Sequence, residues 1–350
     1  MESGLFVFTL AVGFALLFAW SFKALPRERW QIMASVPVSK DDAGHWRGLN
    51  LTFYGFFSAS AYAVAITILF ILMGSLAVPA AKTLAVVATT LLLCMPASKL
   101  IARTVEKKAY TFTVGGASFV GAILVPFIIL LVNGFPGAPM DPAIPVVPAL
   151  AAFSIAYALG EGMGRLACIS FGCCYGKPLS LCHPLVERAF SELCFTFSGK
   201  TKKIAYASGM DGQKVVPIQA LTSTLYVGTA LVSILLFMHS MFVAAYVIAV
   251  LVTQGWRAFS ETLRADFRGD GRISAYQVMA LVAAVYALLL ALLLPHGSIG
   301  APDLPRGLHA IWSPEFILLL QGLWLMIFSY TGRSKVTGST LALHVFHDRI

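Results

Sequence analysis

Long uninterrupted runs of apolar residues dominate the hydropathy pattern of this 350-residue chain. Each run approaches the roughly 20 apolar residues that a helix needs to cross a bilayer, and none alternates as a membrane β-strand does. Because backbone groups inside a bilayer must be hydrogen-bonded within the protein, the runs predict helices. The pattern predicts nine spans, at about residues 5–22, 51–78, 82–101, 117–133, 144–170, 216–240, 241–263, 273–294 and 314–330.

The first apolar run resembles a signal peptide only in length, because it lacks a basic start and a small-residue cleavage site. We therefore interpret it as a retained helix. No internal repeat or low-complexity linker divides the chain. The expected fold class is all-α, a polytopic membrane helix bundle.

Composition supports this class. A mean hydropathy of +0.82 and a charged fraction of 12% exclude a soluble domain. The net charge of +9 does not indicate a nucleic-acid partner, since Lys and Arg in a membrane protein mark loops or bind anionic headgroups. The chain is expected to be integral in the membrane.

Basic residues favour one side of the predicted bundle. With nine spans, two long connections at residues 21–50 and 173–215 share a face with loops 103–108 and 264–272 and with the C-terminus, and only Lys82 and Arg306 lie near the other face. The connection at 173–215 is predicted to form a small head. The positive-inside rule places this face in the cytoplasm. A face that binds anionic phospholipid would also be basic, which leaves the orientation open.

Residues 164–177 read Gly-Arg-Leu-Ala-Cys-Ile-Ser-Phe-Gly-Cys-Cys-Tyr-Gly-Lys and close an apolar run with a charge. Arg165 follows Glu161 by four residues, so the two can pair on one helix face. An ionisable residue within a span is costly and indicates a functional site. The alternative is an arginine that extends to the interface and has no other role.

A second charged group lies in the span that ends near residue 263. Arg257, Glu261 and Arg264 are spaced i, i+4 and i+7, which predicts one helical stripe in which Glu261 holds either guanidinium. Arginine binds phosphate through two parallel hydrogen bonds, so the stripe predicts a phosphate clamp. The alternative is a salt-bridge ladder that only anchors the helix.

Four of the six cysteines fall within 15 positions and two are adjacent, which suits free thiols or a metal site better than disulfides. Zinc binding by Cys168, Cys173, Cys174, Cys182 and His183 is a third candidate. Their spacing is not a paired CxxC framework, so neither a metal nor another cofactor is expected.

Six motifs in register resemble the prolipoprotein diacylglyceryl transferase (Lgt) family. Residues 164–177 resemble its signature in a cysteine-bearing form, and residues 53–55 resemble its Trp-Tyr-Gly segment. Residues 115–121 are similar to Gly-Gly-x-Ser-Phe-His-Gly, and residues 216–219 to His-Pro-x-Gln. The charged stripe is similar to Arg-x-x-x-Glu-x-x-Arg, and residues 274–277 to Ser-x-x-Gln. The resemblance covers about residues 51–294.

The resemblance implies a seven-helix core with one extra helix at each end. The chain then divides into an extra N-terminal helix and basic loop (1–50), a core with a small head at about 173–215 (51–295), and a C-terminal extra helix and tail (296–350). Such a protein is expected in the bacterial inner (plasma) membrane as a multi-pass protein.

The resemblance also implies an activity in lipoprotein biosynthesis. The family moves a diacylglyceryl group from phosphatidylglycerol to an acceptor cysteine thiol and releases glycerol phosphate. The expected partners are phosphatidylglycerol or another anionic phospholipid, and an acceptor protein thiol or a small acceptor. The implied catalytic residues are Arg165, Arg257, Glu261, Tyr54 and Cys173. The implied substrate-binding residues are Arg264, Cys168, Gly176, Ser118 and Gln219.

Four positions depart from the family's pattern: Val120 and Val216 replace histidines, Cys168 replaces an asparagine, and Cys173 replaces a glutamate. Cys173 or Cys168 is expected to act as a base or a covalent relay, because arginines lower thiol pKa values. The departures favour a related lipid chemistry. They also leave two alternatives open: a non-catalytic phospholipid-binding or transport-like membrane protein that kept the arginine clamp, and a thiol or metal redox protein.

Overall fold

The computed structural model describes residues 2–105, 114–134, 143–266, 273–295 and 300–350. Nine helices in these ranges are long and apolar enough to cross a membrane, which confirms the predicted bundle. They are α1 Glu2–Ala24, α2 Phe53–Ser75, α3 Ala80–Val105, α4 Val114–Gly134, α5 Val146–Phe171, α8 Ile218–Met238, α9 Phe242–Ser260, α10 Ala275–Leu293 and α12 Pro314–Thr331. The shorter elements are helices α6 Pro184–Phe190, α7 Lys203–Ser208 and α11 Leu304–Ile311, and strands β1 Ile32–Lys40, β2 Trp46–Thr52, β3 Phe195–Thr196, β4 Lys214–Val215 and β5 Arg333–Leu341.

Helix α5 is the centre of the bundle. It packs against α2, α8 and α9, and 67% of the residues in its most apolar 18-residue stretch are buried. In α12 the buried share is 6%, so nearly all of that helix faces outward and its apolar residues suit contact with lipid. The helix that carries Arg165 is therefore also the one most shielded by protein.

A three-stranded antiparallel sheet, which the sequence analysis did not predict, joins the two ends of the chain. Strand β2 pairs with β1 on one side and with β5 on the other. Asn50, 2% exposed, accepts hydrogen bonds from Ser339 at 2.5 Å and from Ser35. The segments interpreted as a basic loop and a tail thus form one structure, and the domain division at residues 50 and 296 stays a prediction.

The sheet continues directly into the bundle where α2 begins. Thr52 donates to the carbonyl of Gly332 from its backbone N–H at 2.9 Å and from its hydroxyl at 3.0 Å. A Cβ on Gly55 would lie 2.2 Å from Gly332 Cα, so only glycine permits this approach. The predicted span from residue 51 begins instead at Phe53, because residues 51 and 52 belong to β2.

The predicted head lies between α5 and α8 and contains α6, α7 and the β3–β4 pair. Lys202 is fully buried in it, and its Nζ donates to the carbonyls of Ser170 at 2.6 Å and Leu25 at 3.2 Å. Burial lowers the pKa of Lys202 to about 8. Gln31 and Thr201 exchange two further hydrogen bonds. These contacts hold the head against the ends of α1 and α5.

At the opposite end of the bundle, α11 packs against α2, and the backbone N–H of Asp303 donates to the carbonyl of Ser75 at 2.9 Å. This short helix was not predicted from the sequence. The predicted basic loops at 103–108 and 264–272 run into residues 106–113 and 267–272, and that part of each lies outside the described residues.

Candidate functional site

Glu161 and Arg165 lie one turn apart on α5, and their predicted ion pair is confirmed. Arg257 reaches the same carboxylate oxygen from α9, with Nη2 at 3.3 Å from Glu161 Oε1. All three side chains are at most 13% exposed. Glu161 therefore bridges two buried arginines from different helices.

Arg257 also connects α9 to the glycine-rich start of α4. Its Nη1 donates to Ser118 Oγ at 2.6 Å and to the carbonyl of Gly115 at 3.5 Å, while the Ser118 hydroxyl donates to that carbonyl at 3.0 Å. Tyr157, one turn before Glu161 on α5, places its hydroxyl beside Ser118. Three helices thus converge on one guanidinium.

The predicted stripe of Arg257, Glu261 and Arg264 is wrong as a single helical face. Helix α9 ends at Ser260, residues Glu261–Leu263 form a 3₁₀ turn, and Arg264 is extended, so the i+4 spacing no longer applies. Glu261 forms an ion pair with Arg264 at 3.8 Å and accepts a hydrogen bond from the hydroxyl of Ser274 at 3.3 Å. None of its described contacts is with Arg257.

Arg264 differs in charge balance from the pair of Arg165 and Arg257. Arg264 forms two hydrogen bonds of 2.8 Å with Asp266 and also lies near Glu261, so its charge is compensated. Arg165 and Arg257 share the single carboxylate of Glu161, and the buried Nε of Arg165 has no hydrogen-bond partner among the described residues. A buried cation with unused donors is costly unless an anion supplies acceptors. This pair can accept a phosphate.

Directly after α5, the chain turns back towards the arginines. The backbone N–H of Lys177 donates to the carbonyl of Leu263 at 2.9 Å, and that of Ala265 to Tyr175 at 3.1 Å. A Cβ on Gly176 would lie 2.3 Å from the carbonyl oxygen of Val216, so the turn requires glycine there. The signature segment is therefore held between the segments that follow α9 and precede α8.

Three cysteines come together at this turn. The Sγ atoms of Cys168, Cys173 and Cys174 all lie within 4.8 Å of one another, and none of the six cysteines, all in the described ranges, forms a disulfide. Hydrogen bonds with Cys168 and Cys174, together with burial, raise the pKa of the Cys173 thiol well above its ordinary value. The lowered thiol pKa expected for Cys173 is thus wrong, because the two neighbouring thiols and burial favour its neutral form.

The five-residue metal group considered from the sequence is not brought together. Cys182 donates to the carbonyl of Pro178 at 3.4 Å, and His183 caps α6 by accepting from the backbone N–H of Leu185. Within the described ranges, the three clustered thiols form the only group of potential ligands with this spacing.

The remaining predicted residues lie beside the turn. Gln219 is 1% exposed and donates to the carbonyl of Cys173 at 2.9 Å, so its contact is with the backbone. Tyr54 packs edge-on against Phe171 with ring centroids 5.7 Å apart and lies close enough to interact electrostatically with the three clustered thiols.

The link from Glu161 to Arg257 and the place of Tyr157 beside it were not predicted from the sequence. The spacing of residues 157, 161 and 165, at i, i+4 and i+8, placed all three on one helix face and was the available signal. Nothing in the local sequence indicated that Arg257 would reach that face.

These features define a polytopic membrane protein with a buried, carboxylate-bridged arginine pair near one end of the bundle. The family model described as prolipoprotein diacylglyceryl transferase matches residues 43–293, and the chain belongs to this family. The comparison with curated proteins gave no match. Family membership supports a diacylglyceryl transferase function in general, with a lipid donor and a protein acceptor, and the nine candidate spans make the chain a multi-pass membrane protein.

Proposed function

We propose that this protein transfers the diacylglyceryl group of phosphatidylglycerol, or of another anionic phospholipid, to an acceptor thiol in a bacterial inner membrane. One observation carries the proposal: Arg165 and Arg257 share the single carboxylate of Glu161, and the buried Arg165 Nε lacks a partner among the described residues. The resulting net positive charge favours a phosphate group at this position.

In the proposed reaction, the acceptor thiol loses its proton to solvent, and its sulfur attacks the glycerol carbon that carries the phosphate. The carbon–oxygen bond breaks, its electron pair goes to the phosphate oxygen, and glycerol phosphate leaves. The phosphodiester has one negative charge and the released monoester gains a second. Two fixed guanidinium groups favour the transition state because the charge increases there.

The structure-based roles differ from those implied by the resemblance. Arg165 and Arg257 would bind the phosphate, Glu161 would orient both, and Ser118 would hold Arg257. Glu261 and Arg264 are assigned to holding the segment after α9, since Arg264 already has two carboxylate partners.

Residues of the signature turn would position the site. Gly176 and Gln219 would keep the turn in place through their backbone contacts, and Tyr54 would line the lipid pocket. Cys173 is not assigned as a covalent relay. Its raised pKa disfavours the thiolate, and a thioether formed on it would be a poor leaving group for the second transfer.

The decisive test is transfer by the purified protein in nanodiscs that contain phosphatidylglycerol, with a single-cysteine acceptor peptide. We expect thioether formation by mass spectrometry and an equal release of glycerol phosphate. Arg165→Ala and Arg257→Ala should each lower turnover by about 100-fold or more. Arg306→Ala is the matched control, because Arg306 is a 57% exposed residue at the other end of the bundle.

Wild-type turnover by Arg165→Ala would contradict the proposal. The non-catalytic alternative has one observation in its favour, which is that no proton acceptor for the thiol is evident among the described residues. Glu161 forms ion pairs with both arginines, and none of the described histidines contacts the arginine pair. It predicts no thioether in any condition, while anionic phospholipid co-purifies with the wild type and is lost in Arg165→Ala.

A further inference from the structure

The three clustered thiols are a group of reactive side chains that the proposed roles leave unused. Cys168 lies in the last turn of α5, and Cys173 and Cys174 follow the end of that helix. Cys168 and Cys173 are 9% and 8% exposed, and Cys174 is half-buried. No disulfide joins them, although all three Sγ atoms lie within 4.8 Å of one another.

The backbone is arranged to bring these thiols together. Helix α5 ends in a left-handed Gly172, and the N–H of Cys173 donates to the carbonyl of Cys168 at 3.0 Å. Cys174 has a φ of 55°, a left-handed conformation that non-glycine residues seldom adopt. Adjacent side chains in an extended chain point to opposite sides, whereas this turn directs both thiols to Cys168. Strained conformations of this kind cluster at functional sites.

Cations surround the three sulfur atoms. Arg165 interacts electrostatically with Cys168 and Cys174, Arg264 with Cys174, and Lys203 with Cys173 and Cys174. Three thiolates around a divalent ion have a net charge of −1, which such neighbours compensate. The surroundings therefore suit an anionic metal–thiolate complex better than three separate thiolates, which repel one another.

We propose that Cys168, Cys173 and Cys174 bind one zinc ion through three thiolates and leave its fourth position open for the acceptor thiol. Thiolate is a preferred zinc ligand, and a site with three protein ligands keeps one position for substrate. At a zinc–sulfur distance of about 2.3 Å, tetrahedral geometry separates two sulfur atoms by about 3.8 Å. The observed separations of at most 4.8 Å exceed that spacing by about 1 Å or less.

The open fourth position on zinc would supply the nucleophile of the proposed transfer. This part of the inference rests on the proposed function, whereas metal binding by the three cysteines does not. An acceptor thiol that binds the metal loses its proton to solvent and remains as a thiolate. Its sulfur then attacks the glycerol carbon, the carbon–oxygen bond breaks, and glycerol phosphate leaves from the arginine pair. The zinc ion is not oxidised or reduced. Metal binding thereby accounts for deprotonation in a site where none of the described histidines contacts the arginines.

The metal site is tested with cobalt, whose spectrum reports sulfur ligands directly. Purified, reduced, chelator-treated wild type should develop intense near-ultraviolet sulfur-to-cobalt bands and visible bands of tetrahedral cobalt on addition of Co²⁺. Zinc should displace the cobalt with a stoichiometry of one ion per chain. Cys168→Ser, Cys173→Ser and Cys174→Ser should lose these bands, while Cys94→Ser, Cys182→Ser and Cys194→Ser should keep them.

Absence of the bands from wild type that retains six titratable thiols would overturn the site without reliance on any variant. Bands that persist when all three clustered cysteines are replaced would overturn it as well. The open position has its own readout. A single-cysteine acceptor peptide should shift the bands in wild type and also in Arg257→Ala, since Arg257 belongs to the phosphate site and its described charge partners include none of the three thiols. No shift in either protein overturns thiol coordination. If the bands form and shift but no thioether appears, the transfer proposal fails and the metal site stands.

Discussion

Arg257 Nη2 lies 3.3 Å from Glu161 Oε1, although 96 residues separate the two along the chain. This contact links α9 to α5 and makes Glu161 the common partner of Arg257 and Arg165. Because both arginines depend on one carboxylate, their positions are coupled.

Glu161→Gln should remove both ion pairs and leave two buried guanidinium groups that repel each other. Removing one partner of a buried ion pair costs about 3–5 kcal/mol, so we expect a clear loss of thermal stability and of transfer. Tryptophan-fluorescence melting curves in detergent measure the first effect. Glu261→Gln is the matched control, since it affects Arg264, which keeps Asp266. Equal losses in both variants would refute the bridging role of Glu161.

Gly176→Ala should displace the signature turn, because the added Cβ would lie 2.3 Å from the carbonyl oxygen of Val216. We expect transfer to fall by at least about 10-fold, which corresponds to roughly 1.4 kcal/mol. Gly228→Ala on α8 is the control, since nothing lies within 4 Å of its added Cβ. The measurement is the turnover of the two purified variants. Full activity of Gly176→Ala would contradict the prediction, because it would mean that the turn tolerates the added Cβ.

Lys202 should make the stability of the head depend on pH. Its pKa is about 8 in the folded protein against 10.5 for an ordinary lysine, because burial disfavours the charged amine. The unfolded chain therefore binds the proton more tightly, and stability rises with pH between about 8 and 10.5. The expected gain is at most about 3.5 kcal/mol, at about 1.4 kcal/mol per pKa unit.

The measurement compares wild type with Lys202→Met in melting experiments across this pH window. The methionine loses the hydrogen bonds to Ser170 and Leu25, so it should be less stable overall. The stability difference between the two proteins should be constant below pH 8 and widen above it. A difference that is constant over the whole window would show that Lys202 keeps an ordinary pKa.

The basic residues of the head predict its orientation, which the sequence left open. We expect the head in the cytoplasm, because basic side chains concentrate at this end of the bundle. A variant that keeps only Cys194, which is partly exposed, should resist a membrane-impermeant maleimide in intact spheroplasts and react after permeabilisation. Gly300→Cys, at the opposite end, should react without permeabilisation. The reverse pattern would place the site outside, with a headgroup-binding face that overrides the charge rule.

Most of the fold was predictable because each membrane helix is specified locally. The observed helices α1 to α5, α8 to α10 and α12 lie within a few residues of the predicted spans. The sheet was not predictable, since the Asn50–Ser339 contact joins residues 289 positions apart and no local pattern indicates it. The site was predictable in composition but not in pairing. Arg165 and Arg257 stood out as charges in apolar segments, whereas their shared partner depends on how α5 and α9 pack.

The sequence by itself determined the membrane helices and the family, because an apolar run must form its own backbone hydrogen bonds in a bilayer and because the motifs are short and local. The tertiary structure alone decided three relationships. It ended α9 at Ser260 and so separated Arg257 from Glu261, it placed Glu161 between two arginines, and it folded three cysteines into one cluster. Each depends on where a helix ends or which face meets its neighbour, and packing across the whole bundle sets both.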